Sequence, residues 1–564
     1  PPLQGHTLFV RNRDRRSYTH CVHPFLLPRK TQYKSYNCNY LSNTTLAVVT
    51  LHPGMQGRHY RLPTERDYQA VWNAQKQLQT VVNECESGGK KEICPVPNDP
   101  TPAGGGSGAG RAFSVQKYGM MRFSDLFTAR QKMALTTFAR HVASRPQGRC
   151  KDLLGLLIDR AVDFWISLAR WKADAECPVQ ALARQALPIV WDFAEAVPLS
   201  DSTGSLLNQV DRMGAAILSA TFPTMRPGSL QQADACDSPL PNESTGVWFT
   251  DPPYYDAIPY ADLSDLFFVW LKRTLPGHSF LRDPFDASNL LTPKTREVVQ
   301  DETRQFNGLP KDRVFFEGAM ARAFAEGRRV LREDGIGCVV FAHKTTEGWE
   351  ALLSGMIRGG WVITGSWPIS TESRTRLRAR DSAALATSVH LICRARRDDA
   401  PVADWGAVLR ELPKRVGDWM ERLQSEGVRG ADLVFACIGP ALEIYSKYSK
   451  VEDAEGREIP LGGDPETVDP HQRGFLAYVW ETVGRLALEQ VLGTAEAKAR
   501  NGATGAVEED ARLTALFLWT LQSTNGHNGN TGQEADDAEE EVEEADEHDE
   551  ETASRKMTKG FSLV

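Results

Sequence analysis

A chain of 564 residues, 41% apolar and 24% charged, is long enough for several domains with large buried cores and has the composition of a globular protein. No apolar run approaches the roughly 20 residues of a membrane-spanning helix, which sets aside an integral helical membrane protein. The net charge of -8 is unevenly placed: Glu534 to Glu551 holds 13 acidic residues and no Lys or Arg, leaving +5 on the rest, a balance that permits a polyanionic partner without by itself indicating one.

In chain order, residues 1–110 read as an irregular, short-stranded region that ends in the flexible Pro/Gly stretch PVPNDPTPAGGGSGAG. Residues 111–216 read as helical, because FSDLFTARQKMALTTFARHV and KDLLGLLIDRAVDFWISLARWK carry apolar residues at helical spacing. From 217 to 396, short apolar runs alternate with amphipathic stretches, as in a parallel sheet with crossover helices. The strand GVWFT is followed by the helix YADLSDLFFVWLKRTL, with Leu263, Leu266, Phe267, Trp270 and Leu271 on one face. After a polar excursion come the helix FFEGAMARAFAEGRRVLRE, the strand IGCVVFAHK and the helix EGWEALLSGMIRGG. The last two strands, WVITGSWPI and SVHLICRAR, are joined by an Arg-rich loop and are expected to pair as a terminal antiparallel hairpin. Residues 397–525 read as further helices, among them Trp405 to Leu423, Ala431 to Tyr448, Gly474 to Leu492 and Val507 to Leu521. Residues 526–564 read as a disordered acidic tail. Ten cysteines scattered without a dense framework suit a reducing, cytoplasmic setting.

The densest chemistry lies in TDPPYYDAIPYADLSDLFFVWL, Thr250 to Leu271. An apolar run, Val247-Trp248-Phe249, ends on an aspartate that is followed by two stiffening prolines and two tyrosines. The carboxyl edge of a parallel sheet is where open α/β proteins bind ligands, so a rigid polar loop there is a candidate active-site wall. The plain alternative is a Pro-Pro surface turn with an Asx cap.

Asp251-Pro252-Pro253-Tyr254 resembles the catalytic motif of the amino-group methyltransferases that use S-adenosylmethionine, above all adenine-specific DNA methylases. RHYRLPTERDYQAVWNAQ, QKYGMMRFSDLFTARQKMALTTFA and ALPIVWDFAEAVPLSDSTG extend the likeness to the large adenine-specific methylases described as containing a Zn-ribbon, over roughly residues 58–448. The resemblance implies that Asp251 and the Pro252 carbonyl accept hydrogen bonds from the target amine, whose lone pair is otherwise delocalised into the purine. Pro253 holds the loop, and Tyr254 offers a face for stacking the base. A base inside a duplex cannot reach such a pocket, so the substrate is expected to be a flipped-out adenine of double-stranded DNA. Asp234, in QQADACDSPLP, is expected to end the preceding strand and, by the same resemblance, to contact the adenine of S-adenosylmethionine; a turn aspartate is the alternative.

The family also needs a glycine-rich loop after its first strand. The one glycine cluster, Gly104 to Gly110, follows Pro-rich polar sequence and reads as a linker, so the first strands and the cofactor loop are expected upstream of Pro1 or on a partner chain. No Cys-x-x-Cys knuckle occurs among His20, Cys21, His23, Cys38, Cys85 and Cys94, so no metal site is expected. Arg374, Arg376, Arg378 and Arg380 alternate along the loop before the last strand and would share one face if extended, as a phosphate grip would require. The expected architecture is therefore α/β: the later half of a class I, Rossmann-like methyltransferase sheet, with a helical insertion and an additional helical C-terminal region. The expected activity is N6-adenine DNA methylation. An RNA methyltransferase and a non-catalytic nucleic-acid-binding fragment are the alternatives.

Overall fold

The computed structural model describes residues 6–13, 42–51, 57–87, 93–104, 112–221, 226, 228–255, 258–343, 346–370, 387–428, 433, 436–464 and 467–492. In chain order its principal strands are β1 (His6–Arg13), β2 (Ser42–Thr50), β3 (His59–Arg61), β4 (Arg170–Lys172), β5 (Cys177–Val179), β6 (Asp192–Ala196), β7 (Thr245–Thr250), β8 (Asp301–Phe306), β9 (Leu309–Lys311), β10 (Leu331–Phe341), β11 (Trp361–Ser370) and β12 (Thr387–Ala395). The helices that position the site are α1 (Glu65–Ser87), α2 (Ala129–Ala143), α3 (Arg149–Val162), α4 (Leu206–Ser219), α5 (Tyr260–Thr274), α6 (Arg313–Val330), α7 (Thr346–Arg358) and α8 (Trp405–Ser425). Among the described residues no helix is long and apolar enough to cross a membrane.

The larger core is built on a mixed four-stranded sheet of order β11-β12-β10-β7. β10 runs parallel to β7, with Gly337 opposite Trp248 and Val339 opposite Thr250. β12 runs antiparallel to both β10 and β11, so the expected terminal hairpin is present. α6 and α7 bring Phe316, Phe324, Trp349 and Leu352 against Val339, Phe341 and Leu391 of the sheet, and the same apolar cluster continues into α8 through Val408, Leu412 and Met420. Residues 217–396 and the helices that follow them thus share one core rather than two.

Two further divisions drawn from the sequence do not follow the cores. β1 pairs antiparallel with both β2 and β6, giving a second sheet of order β3-β2-β1-β6 that joins residues 1–110 to residues 111–216. α5 turns its apolar stripe away from the β7 sheet: Leu263, Leu266, Val269 and Trp270 enter a core made by Phe123, Phe127, Leu135, Ile158 and Trp165 of the helical region. Trp270 meets Phe127 edge to face at 5.4 Å. A helical stripe buries wherever an apolar partner is closest, and here the partner is α2 and α3. The expected strand before Asp234 is also missing: residues 228–233 belong to no strand, and Asp234 makes only an isolated bridge with Asp237.

β7 lies at the sheet edge and is fixed through Trp248. Its ring stacks on Trp361 at 5.2 Å and meets Phe324 at 5.9 Å. A Cβ at Gly327 of α6 would stand 2.3 Å from that indole, so the helix can approach only because residue 327 has no side chain. Gly327→Ala is expected to destabilise the protein by about 1–3 kcal/mol through overpacking, despite the better helix propensity of alanine. Chemical unfolding followed by tryptophan fluorescence tests this, and an unchanged or higher midpoint would show that the indole does not pack there.

Candidate active site

The candidate loop leaves the carboxyl end of β7. Asp251 is exposed, while Pro252 and Tyr255 are buried and Pro253 and Tyr254 are half-buried. The missing amide protons of the prolines cost nothing at a strand terminus, and their rings fix the chain direction. Tyr254 meets Phe341 of β10 edge to face at 5.3 Å, so its ring is held against the sheet at the base of the loop. Tyr255 stands at φ 45°, a left-handed conformation that is costly for a residue with a bulky side chain. Its ring packs at 89° on Phe316, 5.2 Å away, and the amide of Gln300 donates to its carbonyl at 3.1 Å. The surrounding contacts therefore hold the strained residue in place, as is common in loops that present functional groups.

The polar segment 292–311 acts as a brace behind this loop. Glu297 accepts the amide of Ala261, at the N-terminus of α5, at 2.8 Å. Lys311 donates to the carbonyls of Lys294 and Glu297 at 2.7 and 2.8 Å. Two buried carboxylates of α5 bind the same segment: Asp265 pairs with Lys294 at 2.6 Å and accepts the amide and hydroxyl of Thr292, and Asp262 pairs with Arg304 at 2.5 Å. Burial raises the carboxyl pKa of Asp262 and of Glu297. The Tyr260 hydroxyl is pushed up first by burial and then by the negative charges of Asp251 and Glu297, which places an acidic environment on the α5 side of the loop. Such an environment suits hydrogen-bond acceptance from an amine and disfavours an anionic substrate group at that point.

Asp234 occupies a turn rather than a strand end. One carboxylate oxygen accepts the amide of Cys236 at 2.9 Å and the other accepts Arg296 Nη1 at 2.7 Å. Burial opposes its ionisation, but these donors outweigh burial and hold the carboxyl below its ordinary range. This is the turn-aspartate arrangement that the sequence left as an alternative, with both oxygens engaged. The structure therefore brings Asp251, Pro252, Pro253 and Tyr254 together on one loop and sets Asp234 in a turn linked to that loop through the 292–300 segment. Arg374, Arg376, Arg378 and Arg380 lie outside the described residues, as do Gly105 to Gly110 and His20, Cys21, His23 and Cys38. Among the described residues no three His, Cys, Asp or Glu side chains converge as a metal cluster would.

Sequence reasoning passed over Tyr255, Glu297, Arg304 and Lys311. One signal was legible: Asp262 and Asp265 sit beside Leu263 and Leu266 on the buried stripe of α5, and charges in that position demand partners. Comparison with known protein families, with curated proteins and with solved structures finds no match to the chain.

Burial lowers the pKa of Lys311 from 10.5 to about 8. Between those values the unfolded chain holds the proton that the folded chain has lost, so unfolding takes up a proton and stability rises with pH across the window. The stability of the parent relative to Lys311→Met should accordingly increase as pH is raised from 8 to 10.5. Parallel unfolding-midpoint profiles for the two proteins would mean that the ammonium is as well solvated in the fold as in water.

Proposed function

We propose that the chain is the target-base part of an adenine-specific DNA methyltransferase, in which S-adenosylmethionine supplies the methyl group and the exocyclic N6 amine of a flipped-out adenine receives it. The observation that carries this reading is the placement of Asp251-Pro252-Pro253 at the carboxyl end of the parallel strand β7, on a loop whose next residues are locked by Phe316 and Gln300. The order of the strands supports it as well. A parallel pair followed by an antiparallel hairpin is what the later half of a class I, Rossmann-like methyltransferase sheet would give, with β7 at the edge where the earlier half would join.

On this reading Asp251 accepts a hydrogen bond from the amine through its carboxylate, and the Pro252 carbonyl accepts a second. Two acceptors aimed at the amine protons localise the nitrogen lone pair and direct it, and the carboxylate takes up part of the positive charge that develops on nitrogen. Pro253 and the strained Tyr255 keep the acceptors in position. The described residues provide this accepting side but no glycine-rich cradle for a cofactor, and both Asp234 oxygens already have donors. On this reading the cradle comes from residues outside those described or from a partner chain. The open edge at β7 is suited to such a neighbour, since Val247 and Phe249 are 64% and 60% exposed. A parallel strand ordinarily has both faces covered. The arginine loop 374–380 would add phosphate contacts that position the duplex, and a reducing, cytoplasmic setting fits the cysteine usage.

The test is transfer of a labelled methyl group from S-adenosylmethionine to unmodified DNA by the protein. Asp251→Ala should lower the rate by on the order of 10²-fold or more. Because Asp251 is exposed, the same change should leave the unfolding midpoint within about 0.5 kcal/mol of the parent. Turnover near the parent level would remove Asp251 from the chemistry.

A further inference from the structure

We propose that Phe285, backed by Arg296, is a stacking platform for an unpaired nucleobase beside the acceptor loop. The inference rests on the reading above, since it assumes that the substrate is DNA opened at the target base.

The connection between α5 and β8 is a polar loop, yet it carries large apolar side chains outward. Phe285 is 48% exposed, and Phe280 lies exposed nearby in the same loop. Exposed phenylalanine on a mobile loop would mean little, but this loop is internally fixed. Asp283, itself buried, accepts the amides of Phe285 and Asp286 at 2.8 and 3.2 Å and the side-chain amide of Asn289 at 2.8 Å. Asn289 in turn accepts the amide of Leu291 at 3.0 Å. The backbone that carries Phe285 is thereby fixed before any ligand arrives, so less ordering entropy opposes stacking.

The guanidinium of Arg296 lies 4.1 Å from the centroid of the Phe285 ring and is held by Asp234 at 2.7 Å. A ring already covered on one face by a cation and exposed elsewhere, with an exposed arginine, Arg282, three residues earlier in the same loop, has the features by which proteins hold unpaired bases: a π surface to stack on and a guanidinium for a phosphate. The location fits as well. Arg296 adjoins Glu297, which binds the amide of Ala261 at the end of the candidate loop. Arg296, which backs the platform, therefore belongs to the segment that braces the acceptor loop. When an adenine is flipped out, the base it leaves behind, or a neighbouring base, loses a stacking partner, and Phe285 offers a replacement. A merely protective role, in which Phe285 covers the Asp234–Arg296 ion pair, would be met by any apolar side chain, whereas stacking requires a flat ring.

The experiment compares two fluorescein-labelled duplexes of about 20 base pairs that differ only in one bulged adenine, titrated by anisotropy with the full chain at a single salt concentration. The parent should bind the bulged duplex more tightly. Phe285→Ala and Phe285→Leu should weaken binding of the bulged duplex roughly tenfold and leave the fully paired duplex unaffected, while Phe285→Trp should restore the preference. Thermal melting of each variant controls for folding. If Phe285→Leu behaves as the parent, the ring is only a cover and the proposal is overturned, with DNA recognition left standing. If the parent binds neither duplex, the proposal falls together with the DNA reading.

Discussion

The position of Asp251 depends on one side chain of the strand before it. β7 is an edge strand whose alternate residues Val247 and Phe249 gain little burial, so its apolar anchorage falls to Trp248. A tryptophan can bury roughly 150–250 Å², enough to hold an edge strand that its neighbours hold weakly. The indole fits only because glycine occupies two facing positions. At Gly327 a Cβ would collide with the indole itself, and at Gly337 a Cβ would stand 2.4 Å from Trp361, on which the indole stacks. Small residues on α6 and β10 thus make room for the aromatic stack, and the stack sets where β7 ends and the acceptor loop begins.

From that point the chain passes into a different core. α5, which follows the loop directly, is buried with α2 and α3 rather than against the β7 sheet. The loop therefore spans two packed bodies, and the 292–311 segment ties both ends of it, through Gln300 to Tyr255 and through Glu297 to Ala261. Arg273 extends the tie from the far end of α5, donating to the carbonyl of Cys94 at 2.7 Å and pairing with Asp99 at 2.9 Å. The left-handed conformation of Tyr255 is stable in this setting because its ring and its carbonyl are both constrained from outside the loop.

Much of this sheet was legible in the sequence. The strands around Trp248, Val339, Ile363 and Leu391 are short apolar runs bounded by turn residues, and the helices between them carry unmistakable apolar stripes, so element type and order follow from local periodicity. Partner choice does not. The stripe of α5 is the same whether it packs on a sheet or on α2 and α3, and nothing local in His6–Arg13 indicates a ladder with Asp192–Ala196. Asp234 shows the same limit at the level of one residue, since a strand-end aspartate and an Asx-turn aspartate look alike in QQADACD. The loop motif was readable because its residues are contiguous. Its brace was not, because Glu297, Arg304 and Lys311 gain their meaning only from the buried carboxylates they meet.

The central claim is that this loop presents acceptors to an exocyclic purine amine. The most direct measurement is the identity of the modified atom: DNA exposed to the protein and a methyl-labelled S-adenosylmethionine is digested to nucleosides, which are separated and identified by mass. The account predicts that the label co-elutes with N6-methyldeoxyadenosine. Label in methylcytosine, or in the protein fraction alone, would contradict it.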